Sequence, residues 1–319
     1  MQTENIASLE LTNGEAVRLP VKKPQKRRIN KEEIAGTALA SIPLIGFLIF
    51  GLIPLVFAMA MAFMNMTSYN VFEGEWVGMD NFKTVWQDEM FWDSVGNTLI
   101  LGSSTIISLV FSLIIAYLLN KPIKGQKTFR MIYFIPYVCS VVAISLMWKY
   151  MFNTNYGIIN QMIGRTGEDA INWLGDSKYF SWAVIIMSVW SGMGYGIVLF
   201  TAALTGVNRS TVEAATIDGA GEVSIFFHVV MPAISPTTFY LLVMGVIGAL
   251  QAFATTHSLV GTASPNGDGI TIVFYLWERA LGNKFDLGVA SASAWYLSFM
   301  ILALTIFNFW GSKKWVSYD

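Results

Sequence analysis

Six long apolar runs, nearly free of charge, alternate along the chain with shorter polar connections, at about residues 35–64, 95–119, 131–151, 179–206, 237–260 and 288–311. Each is long enough to cross the hydrocarbon core as an α-helix, which needs roughly 20 residues at 1.5 Å per residue. The pattern predicts an all-α integral membrane protein with six transmembrane helices in one domain. Pro43 and Pro54 should kink the first span. Pro136 and the glycines of Trp190–Gly196 should interrupt the third and fourth, which a membrane tolerates where neighbouring helices or a water-lined cavity satisfy the freed backbone groups. Gly192 and Gly196 also form a small-xxx-small pair suited to close helix packing. The first run is too long for a cleavable leader, so it is expected to remain as a span.

Composition agrees with a bilayer location. Of 319 residues, 54% are hydrophobic and 13% charged, outside the balance of a soluble protein. A net charge of −1 disfavours nucleic acid as a partner. One cysteine, Cys139, in an apolar run and two histidines leave no disulfide framework and no expected metal or cofactor site. Residues 1–34 are polar, with Lys22, Lys23, Lys26, Arg27, Arg28 and Lys31 as a basic run, and read as a mobile tail whose charge sets topology. With the N-terminus inside, the inner connections hold fourteen Lys and Arg and the outer loops five. That asymmetry places both termini, including residues 313–319, on the cytoplasmic side. The first outer loop carries Trp76, Phe82, Trp86, Phe91 and Trp92, suited to a short amphipathic helix at the interface or a surface for an external partner.

A carrier needs a source of energy, and none is visible. The chain has no G-x-x-x-x-G-K-[ST] phosphate loop and no series of ionisable residues inside the spans; Lys149 and His257 lie only near span ends. Active transport must therefore borrow its driving force from a partner.

Between the fourth and fifth spans lies the polar, glycine-hinged stretch Glu213–Pro236. Ser210-Thr211-Val212-Glu213 fits a capping box, Asp218-Gly219 should end that short helix, and Val223, Phe226, Phe227 and Val230 at i, i+3, i+4, i+7 should form one apolar face of a second. Pro232 and Pro236 set the start of the fifth span. The result is a helix–turn–helix elbow, which either packs on its own bundle or docks in a cytoplasmic motor.

The elbow resembles the EAA signature of binding-protein-dependent ABC importer permeases: Glu213-Ala214-Ala215, then Gly219, then Val229 and Met231-Pro232, with Val229 and Met231 replacing Ile and Leu. WVGMDNF before the second span, WSGMGYG and TIDGAG are similar to the carbohydrate-uptake branch, while Gly261-Thr262-Ala263-Ser264-Pro265 departs from its TGGGP. The resemblance implies a non-enzymatic subunit that pairs with a second permease, two cytoplasmic ATP-binding subunits and an extracytoplasmic solute-binding protein to import a sugar. It assigns ATPase coupling to Glu213, Ala214, Ala215, Asp218, Gly219, Ala220, Phe226 and Pro232. By position it assigns the substrate path to Ser188, Trp190, Ser191, Gly192, Tyr195, Gly245 and Gln251. Two alternatives stay open: a self-sufficient carrier or channel, and an ABC permease for a non-sugar solute such as a polyol or phosphodiester.

Overall fold

The computed structural model describes residues 9–12, 15–18, 31–68, 74–261, 264–282 and 285–317. It comprises two units, Met1–Val56 and Phe57–Asp319. In the first, Leu9–Thr12 (β1) and Glu15–Arg18 (β2) pair antiparallel, an element that the tail's polar composition does not predict. The basic residues Lys22, Lys23, Lys26, Arg27 and Arg28 lie outside the described residues. Helix α1 (Lys31–Phe47) contains Pro43 and passes through a π-turn, Leu48–Leu52, into α2 (Ile53–Met61). Pro54 has no amide to offer the carbonyl four residues back, and the widened turn stands immediately before it.

In the second unit, β3 (Met64–Asn65) pairs with β4 (Glu75–Trp76), and α3 (Asp80–Gln87) buries Asn81, Phe82 and Val85 while Trp86 stays exposed. The Asn81 amide donates to the carbonyls of Ala62 and Met64 at 3.0 and 2.8 Å, anchoring α3 to the end of α2. Then follow α4 (Glu89–Asn120), α5 (Gln126–Val138), α6 (Val141–Met151), α7 (Ile158–Met162) and α8 (Ser177–Thr205). The elbow comprises α9 (Arg209–Ile217), α10 (Glu222–Ile225), a π-turn (Phe226–Val230) and α11 (Met231–Ala233). The chain ends with α12 (Ser235–Leu250), α13 (Ala254–Val260), α14 (Ile272–Leu281) and α15 (Leu287–Ser312).

The fold is thus all-α apart from two short hairpins among the described residues. Ala35–Met61, α4, α8 and α15 are each long and apolar enough to cross a membrane alone, and two bent pairs bring the number to six if each counts as one span. The bent pairs differ from the expected spans. The third breaks at Cys139–Ser140, where α5 and α6 meet at 99°; Pro136 lies buried inside α5, and the extended backbone at Cys139 and Ser140 makes the bend. The second joins the elbow helix Glu222–Ala233 to α12 at 69°. The expected straight run 237–260 is also divided, because the chain leaves the helix at Gln251–Phe253 and resumes as α13. The glycines of Trp190–Gly196, in contrast, leave α8 unbroken.

At the end of the bundle remote from the elbow, Asp88 joins three elements. Its carboxylate caps α4 through the Met90 amide at 3.0 Å, accepts the Tyr275 hydroxyl at 2.7 Å and pairs with the Arg279 guanidinium, which also lies 5.2 Å from the Tyr275 ring centroid. Burial pushes the Asp88 carboxyl upward, but the Tyr275 hydroxyl and Arg279 together outweigh it and hold it below the ordinary carboxylate value. Burial, and then the same hydrogen bond, raise the Tyr275 phenol. Nearby, Asn97 donates to the carbonyls of Gly267 and Ile270, and the Thr98 hydroxyl accepts the Ile272 amide, so the loop before α14 is fastened to α4.

Replacing Asp88 by Asn should lower unfolding stability in detergent by about 2 kcal/mol, the scale of a lost charge-assisted hydrogen bond. Because the folded-state carboxyl lies below its unfolded value, the wild type's advantage should be complete above about pH 4 and disappear as pH falls through the lowered value. Thermal melts of both proteins from pH 3 to 7 measure this.

Candidate functional site

Two regions carry the chemistry that the sequence points to: the elbow, and a cavity among the spans. Helix α9 starts differently from the expected capping box. Asn208 is the cap, its side-chain oxygen accepting from the Ser210 amide at 3.0 Å and from the Ser210 hydroxyl at 2.8 Å. Glu213 therefore caps nothing; it is exposed and pairs with Arg209 one turn earlier, at 2.9 Å. Asparagine competes well for this position, and its place two residues before Ser210 moves the helix start outward.

The end of α9 accounts for the spacing Ala-x3-Gly. Gly219 has φ +82°, its amide donates to the Thr216 carbonyl at 3.1 Å, and the Ala220 amide donates to the Ala215 carbonyl at 3.0 Å. This is a Schellman cap, in which the left-handed residue stands four places after the carbonyl that receives the long bond. Ala215 and Ala220, the two ends of that bond, both pack on the core formed by Ala116 and Leu119 of α4, Ile197, Phe200 and Leu204 of α8, and Ile225, Val230, Ile234 and Leu241. Asp218 closes α9 as an exposed residue, Ala214 is exposed, and Pro232 is half-buried in α11.

The second half of the elbow presents a different face from the one expected. Ile225 and Val230 are buried and Phe226 half-buried, but Val223 and Phe227 are 71% and 59% exposed. The π-turn Phe226–Val230 adds a residue to one turn, so a four-residue set spaced for an α-helix divides between inside and outside. With Ile217 at 86% exposure, Val223 and Phe227 leave apolar surface uncovered on the elbow.

The cavity, about 510 Å³, lies between α4, α8 and α12 with contributions from α5 and α13. Ser188, Ser191, Gly192, Tyr195 and Gly245 line it, five of the seven residues expected on the path. Trp190 is turned away, packing edge-on against Trp148 at 5.7 Å in a separate core, and Gln251 is exposed at the end of α12, outside the lining.

Residues missed by the sequence reading supply much of the wall. Ser104, Ser108 and Ser112 run along α4 at four-residue spacing with Thr105 beside them, a hydroxyl stripe that helical periodicity in an apolar run could have revealed. Tyr137 and Tyr240 carry no such signal. Tyr137 stacks on Tyr195 at 5.1 Å and 18°, and the Tyr195 and Tyr240 hydroxyls lie 3.3 Å apart. Thr255 completes ten hydroxyl-bearing side chains in the lining, which holds no charged residue.

Glycine sets the approach of these helices. A Cβ on Gly196 would stand 2.5 Å from Ser112 Oγ, one on Gly194 2.3 Å from the Tyr133 carbonyl, and one on Gly245 2.4 Å from a Thr105 methyl. The Ser112 hydroxyl donates to the Met193 carbonyl at 3.0 Å across the α4–α8 seam. Gly192 and Gly196 thus face α4 and Gly194 faces α5, consistent with their helix remaining straight.

A bundle of continuous and broken apolar helices around an uncharged hydroxyl-lined cavity, with an elbow that exposes apolar side chains, defines a membrane permease. The family model described as "Binding-protein-dependent transport system inner membrane component" matches residues 108–312, and the chain belongs to that family. Among its relatives are the probable ABC transporter permease protein YesP of Bacillus subtilis (strain 168), 34% identical over 92% of this chain and 96% of that protein, and the sn-glycerol-3-phosphate transport system permease protein UgpA of Shigella flexneri, 30% identical over 75% and 80%. The protein is accordingly a multi-pass membrane subunit of the ABC permease class. Its fold matches the crystal structure of a bacterial ABC transporter involved in import of the acidic polysaccharide alginate, with TM-score 0.74, 23% identity and coverage of 89% and 96%. The same transporter type in complex with an alginate pentasaccharide-bound periplasmic protein matches with TM-score 0.75, 23% identity and coverage of 87% and 93%.

Gly196→Ala should lower stability by about 1–3 kcal/mol, the usual cost of overpacking. Ser112→Gly introduced in the same chain should recover part of that loss, because it removes both atoms the new methyl meets. Urea or thermal unfolding of the three variants provides the measurement.

Proposed function

We propose that this permease imports an uncharged sugar or short oligosaccharide by alternating access, driven by ATP hydrolysis on a separate subunit. The observation that carries the solute class is the cavity lining: ten hydroxyl-bearing side chains and no charge. Hydroxyls both donate and accept, which matches a ring of alcohols, and exposed tyrosine faces suit the apolar face of a pyranose. At about 510 Å³ the space falls within the range of small-molecule sites, roughly 300–1,000 Å³. A polyol phosphate is the second reading, favoured by the relative UgpA, an sn-glycerol-3-phosphate transport system permease protein; the absence of a cation from the described lining speaks against it.

Driving force enters through the elbow. With both termini in the cytoplasm, as the charge asymmetry indicates, the elbow faces the ATP-binding subunits and Ile217, Val223 and Phe227 supply the apolar contact, with Glu213 and Arg209 at its edge. Closure of two such subunits on ATP moves the elbows of the paired permeases and shifts the cavity between outward and inward access. A second permease completes the path, and an external binding protein delivers the sugar. Ser188, Ser191, Gly192, Tyr195 and Gly245 form this chain's share of the path.

Reconstitution of the complete transporter in proteoliposomes, with labelled neutral oligosaccharide and labelled glycerol 3-phosphate as solutes, tests the reading. Neutral sugar uptake should require ATP, and Glu213→Lys should reduce it by about tenfold or more while the complex still assembles, the scale of a lost interface contact. Ser108→Leu, which fills the cavity, should also abolish uptake, whereas Gln251→Ala should stay within about twofold of wild type, as expected away from the contacting residues. Wild-type uptake by Glu213→Lys rejects the docking role; uptake by this chain alone supports a self-sufficient carrier, and uptake of the phosphate alone supports the other solute.

A further inference from the structure

Helix α4 contributes four of the ten hydroxyl side chains that line the cavity, and its C-terminal end holds the elbow. Tyr117 meets the Phe226 ring edge-on at 4.9 Å and 72°, and one turn later the Lys121 ammonium reaches both carboxylate oxygens of Glu222, at 3.2 and 2.9 Å. Tyr117 lies in the last turn of α4 and Lys121 is the extended residue that ends the helix, four positions on; they meet Phe226 and Glu222, which are also four apart on the elbow. The Lys121 ammonium also lies 5.7 Å from the Tyr117 centroid, so the two residues on α4 are themselves in contact.

We infer that Tyr117 and Lys121 form a clasp on Phe226 and Glu222 that carries elbow displacement into α4, and so directly into the cavity wall. The inference rests on the proposal that the elbow is moved by an ATP-binding subunit. Three observations support it. First, an exposed ion pair adds little to stability, and Lys121 and Glu222 side chains are 44% and 77% exposed; the contact therefore chiefly orients the elbow. Second, a cavity of about 740 Å³ bordered by Tyr117, Lys121, Arg209 and Val230 leaves the elbow's seat incompletely filled, so contacts at its edge set the elbow's angle. Third, α4 cannot move without its neighbours: Gly196 against Ser112 and Gly245 against Thr105 leave no free space, and the Ser112 hydroxyl bonds across to Met193. A pull on the last turns of α4 thus reaches the Ser104–Ser112 stripe, α8 and α12 together. The clasp lies off the α8 and α12 connections that flank the elbow in sequence, giving it a second mechanical link to the cavity.

The test uses the assembled transporter in proteoliposomes and reads sugar molecules moved per ATP hydrolysed. Lys121→Glu and Glu222→Lys should each lower that ratio on the order of two- to thirtyfold, the span of effects seen for residues that modulate coupling without touching a ligand, with assembly and melting temperature retained. The double swap Lys121→Glu/Glu222→Lys should restore it. Tyr117→Ala should behave like the single swaps, and Tyr117→Phe, which keeps the ring, like wild type. Single swaps that couple as well as wild type, or a double swap that fails to restore the ratio, overturn the clasp. If the wild type hydrolyses and transports in step and Glu213→Lys uncouples it while the clasp variants do not, only the clasp fails; if Glu213→Lys also has no effect, the elbow reading fails with it.

Discussion

Everything in the bundle depends on how closely α4, α8 and α12 can approach. In a bilayer the lipid tails are as apolar as a leucine side chain, so helices associate through van der Waals contact and hydrogen bonds across the seam rather than by escape from water. Gly192, Gly196 and Gly245 provide that contact by lacking a Cβ where Ser108, Ser112 and Thr105 stand. The same seam makes the cavity polar: small hydroxyl residues are the partners that fit against glycine, and their hydroxyls line the space left where larger side chains are absent. Helix packing and the polarity of the cavity thus come from one set of positions, and a substitution there alters both.

The two ends of the bundle are secured by different physics. At the end remote from the elbow, a carboxylate, a phenol and a guanidinium, all largely shielded, tie α4 to α14 with directional bonds. At the elbow end, apolar contacts of Ile225, Val230, Ala215 and Ala220 hold the core while exposed ion pairs sit at the edge. Buried charge networks are costly to rearrange, whereas apolar contacts with exposed bridges shift register at small cost. The elbow end is accordingly the one whose contacts are the less costly to rearrange.

The Ala-x3-Gly spacing of the elbow has a local cause in how α9 ends. Ala215 and Gly219 stand four apart because a Schellman cap needs an accepting carbonyl and a left-handed residue at that interval, and Ala215 and Ala220 are small because both face the core beneath. Glu213 has no part in the cap; it stays outside with Arg209, available to another surface. Its place in the motif is therefore separable from the fold of the helix that carries it.

Hydropathy alone determined that the chain crosses a membrane, where four of the spans run and where the polar elbow interrupts them, because a 1.5 Å rise and a fixed bilayer thickness leave few options for long apolar runs. It also determined that Asp218-Gly219 ends a helix, since that requires only a local left-handed residue. The breaks at Cys139–Ser140 and Gln251–Phe253, the separation of Trp190 from Tyr195, and the inward turn of Phe226 were not legible. Each depends on which neighbour a side chain meets: Trp190 finds Trp148, Tyr195 finds Tyr137 and Tyr240, and Phe226 finds Tyr117. A span that is apolar on every side has no periodicity to reveal its inner face; only the packed helices beside it decide which residues line the cavity and which touch one another.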